Sequence, residues 1–266
     1  MQDEVSFSLL GPLEVTRGGR RVPITALRHR TTLAALALQA NRTVSTAQLT
    51  AAVWGADPPA TAANQIAICV LALRRALGRA AGMIETRPRG YLLNVPPGAT
   101  DLDRVEAMVD AGRALEQAGR PAAAVTELRA ALDLWRGPVL CGITSPELQP
   151  EIAGWEERRL GLTEEVYSLE LRLDRHDGVV AELAAFAGAH PLRERPRGLL
   201  MLALYRTGRQ AEALGVFRET SRLLSEELGL RPSAELRALE RSILNQDPRL
   251  RPRYGRRSDL VDQVGH

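Results

Sequence analysis

The chain has 266 residues, 45% hydrophobic and 25% charged, which is enough apolar material for one large or two ordinary domains and excludes wholesale disorder. All 35 basic residues are arginine, so a Walker A phosphate loop, a Schiff-base lysine and the lysine of a receiver domain are excluded. Charge divides along the chain: residues 1–100 carry 11 arginines against 5 acids, residues 101–246 carry 19 against 24, and residues 247–266 carry 5 against 3; a footprint for a polyanion therefore belongs to the first third.

In chain order, residues 5–9 and 13–16 are β-prone runs broken by Gly11-Pro12, and Gly18-Gly19 turns the chain into a third run over 20–24. From Leu27 the period becomes helical, with Leu33, Leu36, Ala37 and Ala40 on a stripe that ends near Asn41. Ser45 is a good N-cap for a short helix over 46–53, and Gly55 with Pro58-Pro59 ends it. Thr61 is read as the cap of a longer helix that stops at Gly78, and Ile66, Val70, Leu73 and Leu77 form its buried stripe. At about 100° per residue the opposite face holds Asn64, Ile68, Leu71 and Arg75, flanked by Gln65, Ala72 and Arg74. Two strand-like runs, 84–86 and 91–95, then surround Arg87-Pro88-Arg89-Gly90, a hairpin with two arginines at its tip.

This order is that of a winged helix-turn-helix, whose third helix enters the major groove while the hairpin reaches backbone or minor groove. Asn and Gln can pair bidentately with adenine, Arg with guanine, and Ile68 and Leu71 suit thymine methyl groups. On periodicity alone the third helix could equally be packed on both faces; the arginine-tipped hairpin after it favours DNA. Arg28 and Arg30, at the start of the first helix, are candidates for phosphate contact and equally for plain surface charge. Trp54 reads as a packed core edge.

Beyond Asp101 the chain is rich in Ala, Leu, Glu and Arg, with helical periodicity nearly to Asn245. Helical hairpins are expected at 101–135 (turn Gly119-Arg120-Pro121), 160–189 (turn His176-Asp177-Gly178) and 199–227 (turn Thr207-Gly208-Arg209). Leu115, Gly119, Arg120, Ala122 and Ala124 of the first correspond to Leu204, Gly208, Arg209, Ala211 and Ala213 of the last, although Ala123 meets Glu212. Such units resemble tetratricopeptide repeats, each with a face that it buries only against a neighbour. Residues 136–150 break the array and read as a loop. The expected fold is mainly α with small β-sheets: a winged helix over 1–98, an all-α tetratricopeptide-like repeat domain over 99–246 and a flexible tail over 247–266.

Cys69 and Cys141 read as two buried thiols. An acidic start (Asp3, Glu4) and the lack of a long apolar run point to the cytoplasm and no membrane. His29, His176, His190 and His266 have no metal-site spacing, adjacent acids such as Glu156-Glu157 point in different directions, and no nucleophile has a His/Asp companion pattern. Neither enzyme, metal nor cofactor is expected.

The stretches Leu10-Gly11-Pro12-Leu13-Glu14-Val15, Val53-Trp54-Gly55, Pro58-Pro59-Ala60-Thr61-Ala62, Leu73-Arg74-Arg75-Ala76-Leu77-Gly78 and Thr86-Arg87-Pro88-Arg89-Gly90-Tyr91 resemble the OmpR-type DNA-binding domain of the Streptomyces antibiotic regulatory proteins. Leu134-Trp135-Arg136-Gly137-Pro138, His190-Pro191-Leu192-Arg193-Glu194-Arg195 and Tyr205-Arg206-Thr207-Gly208-Arg209-Gln210-Ala211 are similar to their bacterial transcriptional activator domain. The resemblance covers roughly residues 5–244. It implies activation of an antibiotic or other secondary-metabolite gene cluster, through binding to direct repeats in double-stranded promoter DNA near the −35 element. It further implies two protomers side by side and recruitment of RNA polymerase through its sigma factor. On this sequence it places Thr61, Asn64, Gln65, Ile68, Leu71, Arg74 and Arg75 at the major groove, and Arg87, Arg89 and Tyr91, with Arg28 and Arg30, at wing and backbone. Trp54, Gly55, Ala56, Asp57, Pro58 and Pro59 correspond to the polymerase-facing loop. Two departures stand out: no receiver or ATPase domain is expected, and His29-Arg30 stand where many relatives have Gln and Arg. A helical-repeat interaction module whose basic N-domain meets an acidic protein, and a DNA-binding repressor, stay open as alternatives.

Overall fold

The computed structural model describes residues 4–250. Packing divides the chain into two compact units, one holding residues through 119 together with 126–161, the other 120–125 and the residues from 162 onward.

The first unit opens with β1 (Val5–Ser8), β2 (Glu14–Arg17) and β3 (Arg20–Arg21), an antiparallel sheet in that order. Three helices come next: α1 (Leu27–Leu38), α2 (Thr46–Trp54) and α3 (Ala62–Leu77). Ser45 caps α2 reciprocally, its Oγ accepting from the Gln48 N–H at 3.1 Å while its own N–H donates to Gln48 Oε1 at 2.9 Å. Ile66, Val70, Leu73 and Leu77 of α3 are all buried, together with Leu33 and Leu36 of α1 and Leu49 of α2. The wing, β5 (Ile84–Arg87) and β6 (Gly90–Leu93), is joined by a strand that the sequence pattern did not signal, β4 (Thr43–Ser45), giving the order β4-β6-β5. Three residues are too few to show a period; what makes them a strand is pairing with β6 far along the chain, Val44 opposite Tyr91.

This unit does not close at residue 98. The Phe7 N–H donates to the Ala99 carbonyl at 2.8 Å. α4 (Asp101–Gln117) begins with Thr100 accepting from the Asp103 N–H and with Asp101, 1% exposed, in its first turn. The Asp101 carboxylate accepts from the Leu9 N–H at 2.8 Å on each oxygen and from the Leu10 N–H at 2.9 Å. Burial pushes this carboxyl above its ordinary value, and the N–H donors of Leu10 and Leu9 with the charges of Arg104 and Arg136 recover only part of that cost.

After α5 (Pro121–Leu132), the irregular segment 136–145 returns to the first sheet. The N–H groups of Arg136 and Leu140 donate to the carbonyls of Leu10 and Leu9 at 2.7 and 2.9 Å, and Ser145 Oγ donates to the Ala52 carbonyl at 2.7 Å. Gly11, at φ 147, lets Arg136 approach: an added Cβ would stand 3.1 Å from Arg136 Cβ.

Several expectations need correction. Cys141 is exposed while Cys69 is buried, because the returning segment turns Val139, Leu140 and Ile143 inward and leaves the Cys141 side chain outside. The loop is shorter than expected: α6 (Gln149–Arg172) takes in Pro150, whose missing N–H costs nothing in a first turn. The sequence reads Trp135 and Trp155 both as core; Trp135 is buried, whereas Trp155, on α6, is half-buried with its ring 6.5 Å from that of Trp135.

In the second unit the remainder of α6 packs with α7 (His176–Ala189), α8 (Glu194–Arg206), α9 (Gln210–Leu228) and α10 (Ala234–Leu244) around Leu171, Leu183, Met201, Leu204 and Ile243. The turn expected at residues 176–178 falls earlier, at 173–175, where Asp174 takes φ 57. The internal correspondence has a structural basis. Gly119 and Gly208 both follow their helices in the left-handed region (φ 72 and 78), and Ala124 and Ala213 are both fully buried, positions where only a small side chain fits. Of the segment read as a flexible tail, residues 248–250 form a short 3-10 turn, and the Leu250 carbonyl accepts from Arg206 Nε at 2.9 Å; residues 251–266 lie outside the described part. No helix among the described residues is long and apolar enough to cross a membrane.

Replacing Asp101 by alanine strands the Leu9 and Leu10 N–H groups inside the protein and is expected to cost about 2–5 kcal/mol in urea unfolding, with Asp101→Asn between the two because one acceptor oxygen remains.

Candidate nucleic-acid interface

α3 is divided lengthwise. Its buried ridge fixes the opposite side outward, so Asn64, Ile68, Leu71 and Arg75 are all exposed. The helix contains no acidic residue, and its last turn carries Arg74 and Arg75. Its C-terminal end is closed from within the unit: Arg17 Nη1 donates to the Leu77 carbonyl at 2.7 Å, a cation placed at the negative end of the helix dipole. Arg75 has no ion pair or side-chain hydrogen bond among the described residues.

The other residues expected at the groove divide into different roles. Arg74 does not join the outward row. Its Nε and Nη2 donate to the Ile84 carbonyl at 2.9 and 2.6 Å and Nη2 also to Thr86 Oγ1 at 2.9 Å, so it braces the wing against α3. Thr61 stands at the N-cap of α3 without capping it. Its hydroxyl instead accepts from Gln65 Nε2 at 2.9 Å, while Gln65 Oε1 accepts from Arg28 Nη1 at 2.8 Å. The Arg28 guanidinium also lies over the Trp54 ring, 5.3 Å from its centre. Arg28 thus links α1, α3 and the end of α2, and the Gln65 amide is engaged at both ends. Arg30 lies away from this row, in a depression beside the first sheet lined by Glu14, Arg21 and Val22.

At the wing, residues 88–89 form the tip, and Arg87 and Arg89 are exposed. Arg87 pairs with Glu85 on the same strand, an exposed contact worth about 0–1 kcal/mol that a phosphate can displace. Tyr91 is half-buried in β6 opposite Thr86 and Val44. Gly90 is the tightest point: a Cβ there would lie 2.0 Å from the Val44 carbonyl oxygen. Trp54 and Gly55 are half-buried, while Ala56, Asp57, Pro58 and Pro59 form an exposed loop. Sequence pattern alone did not reveal Leu27, the Arg17 cap or the Gly90 constraint. Leu27 left one legible signal, an apolar residue opening α1 off its buried stripe; the other two depend on contacts far along the chain.

A three-helix head with a β-hairpin wing, joined to helical hairpins, defines a winged-helix protein with helical repeats. Comparison with known proteins agrees with that architecture. Residues 100–244 match the bacterial transcriptional activator domain, and residues 19–93 match the domain described as transcriptional regulatory protein, C terminal. The chain is 40% identical over 92% of its length to the regulatory protein AfsR of Streptomyces coelicolor, of which it spans 24%. It is 35% identical to the regulatory protein DnrI of Streptomyces peucetius, covering 92% of this chain and 93% of that one. The solved structure of Mycobacterium tuberculosis EmbR in complex with a low-affinity phosphopeptide superposes with a TM-score of 0.88 at 36% identity, over 92% of this chain and 66% of that one. The chain belongs to the Streptomyces antibiotic regulatory protein family, with an OmpR-type winged helix and a bacterial transcriptional activator domain.

Gly90→Ala is expected to open the β4–β6 pairing and destabilise the first unit by about 1–3 kcal/mol or more, as overpacking against backbone does, measured by thermal unfolding.

Proposed function

We propose that this protein is a sequence-specific, double-stranded-DNA-binding activator of transcription, acting in the cytoplasm on a secondary-metabolite gene cluster and without enzymatic chemistry or a cofactor. The observation that carries this reading is the exposed row Asn64, Ile68, Leu71 and Arg75 on a helix whose other face is core, with an arginine-tipped hairpin next in the chain. An acid-free helix of this size fits the major groove, where Arg75 can hold guanine and Asn64 adenine. Arg87 and Arg89 supply phosphate contacts, which set affinity and not sequence. Arg28 is placed to add a further phosphate contact while it orders Gln65.

The kinship with AfsR and DnrI, both named regulatory proteins, supports a regulator in preference to a plain interaction module, and the match of residues 100–244 to the bacterial transcriptional activator domain supports activation. On this reading two protomers lie side by side on direct repeats near the −35 element. The exposed loop Ala56-Asp57-Pro58-Pro59 faces RNA polymerase and its sigma factor, and residues 99–246 form the activator domain.

Arg75→Ala is expected to weaken specific binding by about 1–3 kcal/mol, and Arg89→Ala to weaken specific and non-specific binding alike while lowering the salt slope by about one unit. Fluorescence anisotropy on promoter duplexes across a salt series measures both; unchanged affinity in both variants rejects the proposed groove orientation. Footprints of tandem protomers should repeat about every 10–11 base pairs on one DNA face.

A further inference from the structure

Large apolar side chains exposed in water need a reason when they cluster. Leu27 is 56% exposed, Ile68 62% and Leu71 48%, and all three lie at the α3 face. Leu27 and Ile68 line one groove between the start of α1 and the middle of α3, together with Ala26 and the buried Cys69, and Leu71 lies three residues beyond Ile68 on the same side. The surroundings are cationic and amide, with Asn64 and Arg75 in the same row, Arg28 alongside and no acid anywhere on α3. A matching partner must carry apolar projections set between negative charges. The major groove of duplex DNA offers this combination in one form, the C5 methyl groups of thymine between the phosphate backbones.

The amide of Gln65 strengthens the case. Bidentate pairing with adenine would require it to give up both Thr61 and Arg28, so the middle of the helix is left to read bases through apolar contact. We propose that Leu27, Ile68 and Leu71 form an apolar reading surface that selects thymine through its C5 methyl group. This inference rests on α3 being the groove-facing helix, and the test separates the two.

The full chain is used to enrich a duplex from a random-sequence pool, and the enriched duplex is resynthesised with uracil in place of thymine, one position at a time. Uracil pairs as thymine does and lacks only the methyl group. At the positions facing the patch, affinity should fall about fourfold for each methyl removed. Ile68→Ala and Leu27→Ala, both at exposed sites that do not support the core, should weaken binding of the thymine duplex and flatten the thymine-to-uracil affinity ratio towards one at the positions facing the patch. Equal affinity for thymine and uracil at every position overturns the inference and leaves DNA binding standing, as does discrimination that survives in both variants. Failure to enrich any duplex overturns the DNA reading itself, and the patch then belongs to a protein partner.

Discussion

A sixteen-residue helix cannot bury all of its circumference against one small core, and in α3 the commitment of one ridge decides the role of every other face. Ile66, Val70, Leu73 and Leu77 are held against α1 and α2, which dictates by helical period that Asn64, Ile68, Leu71 and Arg75 face away. The ends are held as well: Arg17 closes the last turn, and Arg74 ties the helix to the strand beyond it. The outward row is therefore displayed by a rigid element, the condition under which a few side chains can discriminate among base edges.

Arginine does most of the polar work because the chain has no lysine, and its planar fork explains how one residue type serves several ends. Arg74 uses two donors on one carbonyl and a hydroxyl, a brace that a point-charge ammonium could not reproduce. Arg28 stacks on Trp54 and donates in its plane to Gln65. Arg136 reaches the Glu14 carboxylate at 2.8 Å and the Pro12 carbonyl at 3.2 Å. A subset, Arg75 and Arg89 foremost, is exposed and left unengaged, and on the proposed reading these are the side chains that meet the polyanion.

The first unit is completed by chain far from its own helices. The Asp101 carboxylate satisfies two N–H groups just beyond β1 that have no strand partner, and residues 136–145 supply donors for the carbonyls beside them. The energetic logic is that of a buried polar group that must be paired. It makes the winged helix and the start of the helical region one packed body, so the head is not an independent bead on a linker.

The amino-acid sequence by itself determined the elements whose signal is periodic or local: the three helices of the head, the capping box at Ser45, the arginine-tipped hairpin, and the helical hairpins with glycine at the turn and alanine after it. It also determined which face of α3 is buried, from a stripe of Ile, Val and Leu at intervals of three and four residues; that the opposite face stays uncovered was decided by the tertiary structure. Tertiary structure alone decided the rest. β4 exists only through pairing with β6, Asp101 is buried only because Leu9 and Leu10 need acceptors, and Cys141 is exposed only because its neighbours fill the space beneath it. The same holds for the roles of Arg74, Gln65 and Arg28: charge and spacing place a side chain on a face, but which donor meets which acceptor depends on contacts that no local pattern encodes.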